Sequence, residues 1–137
     1  MLQTSPVVDQ TRPDPIVVGT RTDVLPDLAP MIHRQRLVIE GRPPDPIDAE
    51  HISRYLVELG AVCDMTVLTE PVTHRSETYG WAGWVHWETS GAHFYAWEQP
   101  TRFFSVDIYT CKPFDPHEAV AFTGAFFSAD EIIGREF

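Results

Sequence analysis

Three β-type runs follow one another between Gly80 and Thr110 with very little sequence between them. Gly80–Glu88 is rich in tryptophan, Ala92–Trp97 follows Thr89-Ser90-Gly91, and Phe103–Thr110 reads FFSVDIYT. Aromatic and β-branched residues fill pleated, half-buried surfaces. A three-residue link is far too short for the crossover that a parallel pair needs, so Thr89-Ser90-Gly91 is predicted as a tight hairpin turn. The stretch commits the chain to an antiparallel meander, and the remaining elements must pack on it.

Those elements are predicted from periodicity and caps. Arg36–Glu40 reads as a strand and Gly41–Pro46 as a turn. Ile52, Tyr55, Leu56 and Leu59 recur at helical spacing over Pro46–Leu59, with Asp45 or Asp48 to cap the start and Gly60 to end it. Ala61–Thr69 is predicted as a strand and Pro71–Thr78 as a polar loop. Asp115-Pro116 opens a second helix, aspartate as N-cap and proline in the first turn, with Ala119, Val120, Phe122, Phe126 and Phe127 on its apolar face. Glu131–Phe137 closes the chain as a strand. The order β-α-β-β-β-β-α-β predicts an α+β fold, a mostly antiparallel sheet with both helices on one face. The opposite face of such a sheet would be left apolar, which predicts a homodimer through it.

With 137 residues there is room for one domain and one core. Residues 1–30 hold five of the twelve prolines and no sustained period, so they are predicted as a flexible arm leading into a domain over 31–137. The apolar bead Ile16-Val17-Val18 is its one candidate for docking, on a neighbour or a sheet edge. A formal net charge of −10 opposes phosphate backbones and anionic lipid, which argues against nucleic-acid and membrane partners and mildly favours cationic ligands. Two cysteines make no disulfide framework, no apolar run approaches the ~20 residues of a membrane span, and the first residues lack signal-peptide character. These features predict a cytoplasmic protein.

Three places carry possible chemistry. Serine and glycine are ordinary turn formers, yet Ser90 in a strained turn is also a candidate nucleophile, with Gly91 supplying backbone freedom. Cys111, at the end of DIYTC, is either a small buried residue or a partly exposed thiol that Lys112 would help to ionise. His74, His86 and His93 with Cys111 match no metal-ligand spacing, so no metal is expected. Trp81, Trp84, Trp87 and Trp97 are core or interface residues before they are a cofactor box. No dinucleotide-binding, P-loop, zinc-protease or nucleophile-elbow motif is present in the sequence.

Several segments, in order, resemble the bacterial S-adenosylmethionine decarboxylase proenzymes from about Gln35 to Phe137. Val106–Cys111, VDIYTC, is similar to the family's V-D-x-[FY]-T-C. Gly80-Trp-Ala-Gly83 is similar to G-x-S-G, and Thr89-Ser90 stands where the family has Glu-Ser, with Trp97 seven residues beyond. The opening RLVIEG, Leu59-Gly60-Ala61, Asp115-Pro116 and the terminal Arg135-Glu136-Phe137 fit as well.

The resemblance implies a family-like sandwich and self-cleavage between Thr89 and Ser90. The serine hydroxyl attacks the preceding carbonyl to give an ester, and elimination then leaves a pyruvoyl group derived from Ser90. As a Schiff base with the substrate's α-amine, that ketone takes up the electrons left when CO₂ departs. Cys111 matches the family's proton donor. The implied ligand is a small amino-acid substrate such as S-adenosylmethionine, and the implied assembly is a dimer with its sites near the subunit contact. Trp81, Trp97 and Glu98 are the residues assigned to substrate.

The departures are specific. The family's processing histidine is Tyr95, its assisting serine is Ala82, the residue before the cut is Thr89, and the adenine-stacking aromatic is Ser76. His93 shares a strand face with Tyr95 and is the candidate substitute; Tyr79, Trp81 or Trp84 would supply the ring. The alternative is a non-cleaving homologue that binds a ligand or partner, or that works without pyruvate. A purely structural interaction domain is the third reading.

Overall fold

The computed structural model describes residues 16–137. Its elements are β1 (Gln35–Arg42), α1 (Ala49–Val62), β2 (Val72–Ser76), β3 (Gly80–Trp87), β4 (Ser90–Trp97), β5 (Phe103–Thr110), α2 (Pro116–Phe126) and β6 (Glu131–Glu136). The six strands form one sheet in the order β2-β3-β4-β5-β1-β6, and every neighbouring pair is antiparallel. β1 enters between β5 and β6, so the start of the domain is clamped by its end. The predicted α+β class, antiparallel sheet and two helices hold.

Strand alternation divides the sheet into two faces. Leu37, Ile39, Val85, Trp87, Ala92, Phe94, Phe104, Val106 and Ile108 are buried on one, against Ile52, Tyr55, Leu56 and Leu59 of α1 and Ala119 of α2. Both helices therefore cover the same face. Asp48 caps α1 by accepting the His51 N–H at 3.0 Å, and Asp115 caps α2 by accepting from His117 and Glu118. Tyr55 is the hub. Its ring meets Phe94, Phe122, Phe126 and Phe127 at 4.8–5.8 Å, and its hydroxyl pairs with Thr123 Oγ1 at 2.7 Å. Burial drives that phenol's pKa far upward, so it stays neutral.

Three local expectations are corrected. Ala61–Thr69 is not a strand. α1 runs on through Gly60 to Val62, Cys63 caps it, and Asp64 turns the chain at φ 56°. The segment's contact with the sheet is a single isolated bridge, Val67 to Trp87, flanked by backbone hydrogen bonds from Leu68 N–H to His86 and from Glu88 N–H to Thr66. Gly60 serves packing and does not end the helix: a Cβ there would lie 2.9 Å from Trp87 Nε1. Second, the polar stretch Pro71–Thr78 contains the edge strand β2, which the sequence reading missed. Third, the hairpin turn is Glu88-Thr89, because Ser90 already pairs with Trp87. The arm predicted over residues 1–30 falls partly outside the described residues. Within them, Ile16, Val17 and Val18 are exposed by 80, 64 and 88%.

Candidate active site

The turn between β3 and β4 places Thr89 at φ 62°. This left-handed region is unfavourable for a β-branched residue, and the strain falls immediately before Ser90. Gly91 lies inside β4 and does not carry the positive φ. Ser90 is 4% exposed. Its Oγ accepts the Cys111 N–H at 3.3 Å. That contact follows from register: Gly91 pairs with Tyr109, so the residue after Thr110 arrives beside Ser90. Two segments far apart in sequence, and both singled out there, thus meet at one end of the sheet.

Ser90 and Thr89 border a hollow of about 560 Å³ whose other walls include Arg36, Trp84, His86, His93, Asp107 and Tyr109. That volume is ordinary for a small-molecule site. Most of these walls belong to the sheet face without helices. His93 stands between Trp84 and Tyr95, with ring centroids 6.5 Å from each. Tyr109 lies beneath the Arg36 guanidinium, 4.9 Å from centroid to carbon, and its Oη accepts from the Cys111 thiol at 3.6 Å. The hydrogen bond to Cys111 is the main cause that raises the Tyr109 pKa, with Arg36 and Arg34 opposing.

Ala82 and Tyr95 are direct cross-strand partners. They line a second hollow of about 110 Å³ with His74, Trp84 and His93. Trp84 and His93 belong to both hollows. His93 and Tyr95 share a face, as alternation predicts. Five residues of strand separate Ser90 from Tyr95, roughly 16 Å at ~3.3 Å per residue. Within one chain, Tyr95 stands well away from the serine.

The residues assigned to substrate are not gathered at Ser90. Trp81 packs against the core on the helix-covered side. Trp97 sits between Tyr79 and Phe103, 5.3 and 6.1 Å away, and Glu98 pairs with Arg102 at 3.2 Å. Ser76 Oγ accepts the Thr78 and Tyr79 N–H groups at 3.2 Å and so serves a turn. Lys112 does not attend the thiol beside it. Its Nζ binds Asp64, through the carbonyl and Oδ2 at 3.1 Å. Among the described residues, no cluster of three or more potential metal ligands forms. Arg36, Asp107 and Tyr109 are the wall residues to which the sequence reading gave no role. Tyr109 was accessible to it, since residues 109 and 111 fall on one side of an extended segment.

Residues 41–137 match the S-adenosylmethionine decarboxylase family model, and the chain belongs to that family. The fold is similar to the crystal structure of the adenosylmethionine decarboxylase from Aquifex aeolicus VF5, with a TM-score of 0.63. Identity to that protein is 16%, over 77% of this chain and 89% of that one. No curated protein matches the sequence.

The two glycines of the family-like Gly80-Trp-Ala-Gly83 have structural reasons. Gly80 adopts φ 138°, and a Cβ on Gly83 would come within 2.5 Å of Ile52. The position between them where that motif has serine is Ala82 here.

Proposed function

We propose that this protein is a pyruvoyl-dependent decarboxylase of S-adenosylmethionine or a related amino acid, matured by self-cleavage between Thr89 and Ser90. One observation carries the reading. A strained Thr89 directly precedes a nearly buried serine hydroxyl, which is tied to the backbone of Cys111 at the rim of a ligand-sized hollow. The surroundings of Ser90 suit the origin of such a group. The N–H of Cys111 orients Oγ, and relief of the left-handed turn favours breaking the bond beside it. A ketone at residue 90 supplies the electron sink that decarboxylation needs. Cys111 returns a proton to the carbon that lost CO₂, while Trp84, His93 and Tyr109 line the space for the substrate.

The open face of the sheet supports a homodimer. Trp84, Tyr95 and Tyr109 are 39–44% exposed on it, an apolar area suited to a second copy. A partner lying across that face would bring a second Tyr95, His93 and His74 toward Ser90, which its own Tyr95 does not approach. Residues 1–30 are assigned to an arm and 31–137 to the catalytic domain. No helix among the described residues is long and apolar enough to cross a membrane. The cytoplasmic assignment rests on the thiol content and sequence character given above.

A second reading has its own observation. Ala82 and Tyr95 face each other, so the family's hydroxyl and imidazole are both lost from one spot. A general acid or base contributes about 10²–10⁴-fold, and loss of both favours a chain that keeps the fold and hollow but stays uncut. A denaturing gel of purified wild type and Ser90→Ala decides between them. The decarboxylase reading expects two bands for wild type and one for the variant. A single full-length wild-type band after long incubation selects the second reading.

A further inference from the structure

We propose that Tyr109 is a positioning residue for Cys111, one that fixes the thiol and stabilises the sulfur anion left when the proton is delivered. The proposal rests on the decarboxylase reading for the purpose of that proton, but its geometry is independent of cleavage. Three groups are in contact in order at one end of the sheet. The Cys111 thiol meets the Tyr109 phenol oxygen at 3.6 Å, and the Arg36 guanidinium covers the phenol ring at 4.9 Å. Tyr109 and Arg36 wall the hollow that Ser90 borders. The backbone N–H of Cys111 is meanwhile held by Ser90 Oγ at 3.3 Å. Both ends of the cysteine are therefore anchored, the main chain to Ser90 and the sulfur to Tyr109.

The anchoring matters because Lys112, the cation next in sequence, is bound to Asp64 and does not pair with the sulfur. During the proton step the S–H bond breaks, a C–H bond forms on the decarboxylated carbon, and sulfur keeps the electron pair. The phenol then turns its own O–H toward the thiolate. It can do so because the hydrogen bond with Cys111 and partial desolvation hold Tyr109 in its protonated form. Arg36 contributes positive charge over the ring.

Tyr109→Phe keeps the ring and its contact with Arg36 and removes only the hydroxyl. The test is alkylation of the native protein by iodoacetamide across pH, read by peptide mass, with Cys111→Ser as the control that identifies the labelled site. Cys63 is buried and its thiol is pushed up to about 12, so it stays unlabelled. In Tyr109→Phe, Cys111 is expected to react several-fold more slowly near pH 7, with its pH profile displaced upward. In the cleaved enzyme, kcat is expected to fall about tenfold at unchanged KM, because the interaction is made with the sulfur anion and not with bound substrate. An alkylation profile identical to wild type overturns the proposal. The labelling arm gives its answer even in an uncut chain, so failure of the decarboxylase reading and failure of this inference are separable.

Discussion

The two faces of one sheet follow different rules. On the helix-covered face Phe94, Phe104, Val106 and Trp87 are fully buried, and each is fixed by several neighbours. On the open face His93, Tyr95, Asp107 and Tyr109 alternate with them along the same strands and remain exposed. The covered face is satisfied within one chain, whereas the open face leaves its side chains available, and it is where the proposed ligand and second copy would bind. Ser90 lies at the seam. It alternates with the covered residues of β4, yet it sits at the strand end and borders the hollow whose walls lie mostly on the open face. The difference teaches that strand parity divides this sheet into a face that makes the core and a face that stays free for the proposed function.

The comparison can be broken most decisively at the seam. Ser90→Ala should abolish cleavage completely while leaving the far-ultraviolet circular dichroism unchanged; persistent cutting would place the nucleophile elsewhere. Next in size, Phe94→Ala on the covered face should cost about 3–5 kcal/mol in chemical denaturation. Its open-face counterpart Trp84→Ala, already 44% exposed, should cost the monomer no more than ~0.5 kcal/mol and appear as weaker self-association in sedimentation. Equal losses of monomer stability would erase the distinction between the faces. His93→Ala should slow cleavage by at least ~10²-fold if His93 has taken over from the imidazole absent at position 95; an unchanged rate removes it from that role.

The smallest effect belongs to Thr89→Gly. A left-handed non-glycine residue costs about 1–2 kcal/mol, and glycine returns roughly 0.5–1 kcal/mol of that as unfolded-state entropy. The net gain in stability should lie between about 0 and 1.5 kcal/mol. Cleavage should nonetheless slow, because the strain beside Ser90 is gone. A variant that is no more stable and cuts at the wild-type rate would show that the turn stores nothing useful.

The covered face was legible in the sequence because its spacing is a direct image of burial. Ile52, Tyr55, Leu56 and Leu59 declared α1, and Asp115-Pro116 declared the start of α2. β2 was not legible. Its residues Val72-Thr-His-Arg-Ser lie at a half-exposed sheet edge and carry little apolar alternation. The false strand at Ala61–Thr69 came from taking Gly60 as a stop, when its meaning lay in Trp87, a partner distant in sequence. The candidate site was legible where motifs pinned it, at Ser90 and Cys111. Arg36 was not, because it becomes a wall only through the insertion of β1 beside β5, which sets it opposite Tyr109.

The account stands most directly on the mass of the fragment that begins at residue 90. In the purified protein that piece, residues 90–137, is expected to be lighter than its sequence by one ammonia and refractory to Edman degradation, with residues 1–89 as its companion. A single intact polypeptide with an unmodified serine at position 90 would contradict it.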